Sequence, residues 1–247
     1  MAGRLKALMH GLAVQGLAGI AIALALAFAG MPVHAGPFQD FEKEAGEVYG
    51  VYRMALFSTN SGNQNGSVET ITKFAAGWGA LTGKWLKTPP PQYADDKQFP
   101  ADADKVSAIS SKALVQAKAG DLKAAHQTLE AIRDVLGGLR KRNGVIIYSD
   151  HMNAYHSQME KILTTSYAGA PQRLTADAGV LAYLAQALKD NAPATMATSP
   201  EFAAALAAVQ QSVVALQQAL SGKDPKAVMS AIKQLKMPYA KLFVRWG

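Results

Sequence analysis

Between Ser149 and Lys161 the chain reads SDHMNAYHSQMEK. Set beside the rest of the chain after residue 35, this stretch holds two of three histidines and two of six methionines. On a helix, Met152, His156 and Met159 fall at i, i+4 and i+7, one above another on a single face, with His151 and Tyr155 on a neighbouring row. One imidazole nitrogen between two thioether sulfurs is a soft donor set, which favours copper, ahead of iron. His151 is expected in the first helical turn, where the positive end of the dipole disfavours imidazolium and keeps a nitrogen free; Asp150 acts in the opposite sense. Packing is the competing account, because methionines at helical spacing fill core gaps. His126 stands apart, between Leu122 and Leu129, and reads as a boundary residue. His156 with Glu160, at i and i+4, resembles half of a zinc or di-iron arrangement, but no Glu-x-x-His occurs in the chain.

Other chemistries find no support. There is no cysteine, which excludes disulfides, thiolate zinc sites and CxxCH haem attachment. No HExxH, no G-x-S-x-G elbow and no phosphate loop is present. A binding module is expected rather than an enzyme.

The first 35 residues read as a cleaved leader. Arg4 and Lys6 precede the apolar run LAVQGLAGIAIALALAFA, Gly30 and Pro32 break it, and Val33-His34-Ala35 offers a cleavage site after Ala35. Removing Arg4 and Lys6 lowers the formal charge from +7 to +5. The remaining cations are scattered, so nucleic acid is not an expected partner. The expected setting is the periplasm, with a metal ion or a redox partner protein as companion and no stable membrane insertion once the leader is gone.

The elements that must position these residues are helices. Phe41 starts an apolar face that ends at STNSGNQNG. Ser67 is the expected cap of a second helix carrying Ile71, Phe74, Trp78, Leu81 and Trp85, stopped by Pro89-Pro90-Pro91. In that helix Gly77, Gly79 and Gly83 leave room for close helix approach or for a flat ligand beside the tryptophans. A third helix is expected over Asp102–Ala119 and a fourth from the cap Asp121, with Ala125, Leu129, Ile132, Leu136 and Leu139 inward. Ser149 caps a fifth and Thr175 a sixth. Ser199-Pro200-Glu201 opens a seventh, and Asp224-Pro225 opens one last continuous helix to Trp246.

The halves correspond at an offset of 103 residues: Asp121 with Asp224, Leu129 with Ile232, Ile132 with Leu235, Leu139 with Leu242, Phe99 with Phe202 and Tyr52 with Tyr155. The expected fold is all-α: two tandem four-helix up-down bundles related by internal duplication, over residues 36–144 and 145–247.

Each half resembles the periplasmic four-helix-bundle cytochromes of the soluble b-type and c-prime kinds. The shared features are the linker Thr88-Pro89-Pro90 and the short Gly-Asp turn into the last helix, Gly120-Asp121 and Gly222 with Asp224. The resemblance implies a non-covalent b-type haem as an alternative cofactor, held between a methionine and a histidine. Met54 is the first half's methionine, with no histidine over Arg133–Arg142 to face it. In the second half the order is reversed, with histidines on the first helix and Met237 on the last, expected near the depth of His156. A structural or partner-binding bundle with no cofactor is the third alternative.

Overall fold

The computed structural model describes residues 36–167, 171–222 and 224–247; the leader expected over residues 1–35 lies outside them. The described residues are all-α and contain no strand. Four helices make the first half: α1 (Pro37–Asn60), α2 (Gln64–Trp85), α3 (Phe99–Lys118) and α4 (Leu122–Arg142). The second half contains α5 (Tyr148–Thr164), α6 (Pro171–Asp190), α7 (Pro200–Gly222), α8 (Pro225–Gln234) and α9 (Lys236–Trp246). A helical turn, Ala194–Ala197, precedes α7, and a 3-10 turn, Pro91–Tyr93, lies between α2 and α3.

Neighbours in sequence are neighbours in space. In the first half α1 packs on α2 and α4, and α3 packs on α2 and α4. In the second, α6 lies between α5 and α7, and α7 carries α8 and α9, which both reach back to α5. The halves meet where α9 crosses α1. Their apolar stripes merge into one core, from Phe41 and Trp78 at one side to Leu216 and Leu242 at the other. Helix α7 is long and apolar enough to cross a bilayer by length and composition. Here one face of it, Phe202, Leu206, Val209, Val213 and Leu216, is buried in that core, while Val214 is exposed.

Local chemistry explains most boundaries, and corrects four of them. Asp121 and Asp224 cap α4 and α8 as expected, each carboxylate accepting a backbone N–H from the first turn. Asn63 caps α2 in place of Ser67, which lies inside the helix and donates its hydroxyl to the Asn63 carbonyl. Ser149 is likewise inside α5: that helix starts at Tyr148, and the Asp150 carboxylate accepts from the Ile147 N–H at 3.1 Å. Thr175 sits a turn within α6 and bonds the Pro171 carbonyl. The expected last helix is two, because Pro238 has no N–H to offer the Gln234 carbonyl. The Leu235 N–H bonds Ile232, three residues back, at the break.

Of the two uses expected for the α2 glycines, close helix approach is seen at Gly77. A side chain at Gly77 would stand 3.3 Å from Val48 of α1, so this glycine permits close helix approach. Trp78 and Trp85 are buried, their indole N–H groups donating to the Ala103 carbonyl and the Glu44 carboxylate.

Candidate functional site

Two ion clusters bridge the halves. Arg140 in the last turn of α4 grips Asp150 in the first turn of α5, its Nε donating to both carboxylate oxygens and an Nη donating at 2.6 Å. Gly144, with φ 67°, turns the chain between them. The Arg140 side chain is nearly buried, so this fork stitches the two helix ends across their connector.

The second cluster floors a crevice of about 440 Å³ at the seam. Leu56 and Phe57 of α1, His126, Glu130 and Arg133 of α4, His156, Met159 and Glu160 of α5, and Tyr239 and Phe243 of α9 line it. His126, Glu130 and Arg133 are spaced four and three residues apart, so one face of α4 presents them together. Helix α5 presents His156 and Glu160 by the same spacing.

Glu130 is the hub. One of its oxygens, Oε1, accepts from an Arg133 Nη at 2.7 Å and lies 3.5 Å from the Nε2 atoms of both His126 and His156. Partial burial acts to raise the Glu130 carboxyl, but the two imidazoles and the Arg133 charge outweigh it and hold the group well below the ordinary carboxylate range. Arg133, nearly buried, has its guanidinium 5.7 Å from the ring centre of Phe243. Burial lowers the pKa of His156, and the neighbouring Glu130 partly offsets this. Its ring lies 5.4 Å from that of Tyr239, which in turn stacks on Tyr155. The His156 Nδ1 is buried without a hydrogen-bond partner.

His126 is held from behind. Its Nδ1 lies 3.0 Å from Thr59 Oγ1 and 3.2 Å from the Leu56 carbonyl. The Leu56 carbonyl can only accept, so its hydrogen bond with the ring calls for the proton on Nδ1, and Thr59, whose hydroxyl can bond the Ala55 and Leu56 carbonyls, then accepts from the same N–H. Thr59, His126 and Glu130 therefore stand in the order of a nucleophile–base–acid relay without being one. The threonine is buried, and its hydroxyl lies within hydrogen-bond reach of two carbonyls of its own helix.

Of the residues expected to do chemistry, the structure brings His156 and Met159 to the crevice. Met152 is 0% and Met159 1% exposed, so both thioethers sit in the core, and the Met152 carbonyl accepts from the Tyr239 hydroxyl at 3.1 Å. His151 is half-buried on the neighbouring row, away from the crevice lining. Met237 is 62% exposed and lines a separate groove with α7 and α8, whereas its neighbours Lys236 and Tyr239 face the crevice. Met54 is 40% exposed and also lies outside the lining. Neither methionine faces a histidine across the crevice. Sequence reasoning missed Glu130 and Arg133, and left His126 at the boundary. The available signal was the repeated His-x-x-x-Glu spacing, at 126/130 and again at 156/160.

As they stand, no three His, Cys, Asp or Glu side chains among the described residues are gathered as a ready-made metal cage. Arg133 pairs with Glu130 at 2.7 Å. No family model matches the chain, and neither a curated protein nor a solved structure is detectably similar to it.

Proposed function

We propose that this chain is an exported, periplasmic binding protein made of two four-helix bundles related by duplication, and that its ligand occupies the crevice where they meet. The carrying observation is the convergence of His126, Glu130, Arg133, His156 and Glu160 on one concavity lined from both halves. A concave site of this volume, with a few polar groups set among apolar walls and perturbed titratable groups at its floor, is the usual form of a small-ligand site. Binding is favoured over catalysis, since the hydroxyl nearest a histidine lies within hydrogen-bond reach of carbonyls of its own helix.

Duplication draws support from the matched positions. Leu129 and Ile232, Ile132 and Leu235, and Leu139 and Leu242 are all buried, and Asp121 and Asp224 cap α4 and α8, where Leu129 and Ile232 sit. A transition metal, copper ahead of iron, is the first ligand to test, because His156 and Met159 both reach the crevice. A small organic anion is the second, because Lys123 and Lys236 join Arg133 in the lining.

Elemental analysis and native mass spectrometry of the protein purified from its native compartment test this reading. The expected result is a stoichiometric metal or small molecule, absent from Ala240→Trp, which fills the crevice. Wild type carrying neither, with no rise in Tm on adding CuSO4 or sodium citrate, rejects it. N-terminal sequencing checks export, with Gly36 expected as the first residue.

A further inference from the structure

We infer that the floor of the seam crevice is a divalent-metal centre built from two His-x-x-x-Glu pairs, His126 with Glu130 from the first half and His156 with Glu160 from the second. The inference rests on the crevice being the ligand site, and it names the ligand class and the donors.

Tautomer logic carries the first step. The His126 Nδ1–H is spent on Leu56 and Thr59, so the neutral ring turns a lone pair on Nε2 toward Glu130 Oε1, another acceptor, 3.5 Å away. Two acceptors facing each other require a cation between them, either a proton or a metal. A backbone carbonyl behind the ring is also the usual way a ligating histidine is oriented.

Geometry carries the second. An ion about 2.1 Å from both Nε2 and Oε1, atoms held 3.5 Å apart, subtends an angle of about 113°, close to tetrahedral. The same separation recurs between His156 Nε2 and that oxygen, so the Glu130 carboxylate stands between the two imidazoles as the ligand they would share. His156 uses its Nε2 by moving its proton to Nδ1 or losing it. Glu160, on the same face of α5 one turn on, lines the crevice and pairs only loosely with Lys236, at 4.0 Å.

The donors also choose the ion. Two imidazoles and two carboxylates are borderline-to-hard ligands, which suit Cu²⁺ or Zn²⁺ better than Cu⁺. Arg133 is the occupant to be displaced, because its guanidinium holds the oxygen the ion needs. Removing that cation is therefore expected to tighten metal binding.

The test is titration of metal-free protein, residues 36–247, with CuSO4, ZnCl2 and CoCl2, followed by calorimetry and visible absorption. One ion per chain is expected, with four-coordinate d–d bands for Co²⁺ and coupling to two nitrogens in the electron paramagnetic resonance of the Cu²⁺ form. His126→Gln and Glu160→Gln are expected to weaken binding at least about tenfold. Arg133→Met is expected to strengthen it, and His151→Gln to leave it unchanged. A Cu²⁺ spectrum without two coupled nitrogens overturns the inference even where a variant fails to fold, as does a His126→Gln protein of unaltered affinity. A small molecule that occupies the crevice of a protein indifferent to all three metals sinks the metal centre alone. A crevice that takes up neither sinks the binding reading as well.

Discussion

His156 of α5 and Glu130 of α4 meet across the seam, imidazole Nε2 to carboxylate oxygen, at 3.5 Å. Because the same oxygen holds Arg133 at 2.7 Å, the contact joins the halves and neutralises a nearly buried guanidinium at once.

Glu130→Gln therefore leaves Arg133 buried without its counter-charge. The expected loss is about 2 kcal/mol in urea unfolding, less than for a fully buried pair because the glutamate is 38% exposed and water partly compensates. The double variant Glu130→Gln/Arg133→Met recovers part of that loss. A cost no larger than that of Glu69→Gln, an exposed residue, would remove the structural importance assigned to the hub.

The Arg140–Asp150 fork is the stronger stitch. Asp150→Asn breaks a three-contact pair and weakens the acceptor for the Ile147 N–H, so about 3 kcal/mol is expected from chemical denaturation. Arg140→Lys keeps the charge but loses the planar fork, and is expected to rescue little. Full stability in Arg140→Lys would show that charge alone holds the connector.

Acid sensitivity follows from Asp177 of α6. Lys161 bonds its carboxylate first, with Tyr167 and Gln158 adding donors, and together they depress its pKa. A depressed carboxyl binds fewer protons folded than unfolded. Its stabilisation is thus complete above the ordinary carboxylate range near pH 4, and is lost as pH falls below it. Asp177→Asn is expected to cost about 1–2 kcal/mol at pH 7 and almost nothing at pH 2. Equal costs at both pH values would contradict the assignment.

Methionine burial is read directly by oxidation. Dilute hydrogen peroxide is expected to convert Met237, Met229 and Met54 to sulfoxides well before Met152 and Met159, by peptide mass mapping. Early modification of Met152 would show that α5 does not bury its methionine face.

Much of the fold was legible because it is local. A side chain in the first turn caps a helix or does not, and the aspartates at 121 and 224 announced α4 and α8 through their own backbone amides. Hydroxyl residues were ambiguous for an equally local reason. Ser67 and Thr175 satisfy themselves by bonding a carbonyl of their own helix, so the same residue type serves inside a helix as well as at its start. The break in the last helix was encoded by Pro238, but its apolar stripe continues through the kink, and periodicity alone reads straight across it.

By itself, the order of residues determined that the chain is helical, which faces turn inward, and that His156 and Met159 share one of them. Those properties follow from spacing along a single helix. The tertiary structure alone decided that His126, 30 positions earlier, faces the same carboxylate as His156, that Arg133 claims the oxygen between them, and that Met237 turns outward. Such meetings depend on the rotation and depth at which α4, α5 and α9 pack. Those are set by the whole apolar core together, not by any stretch within it.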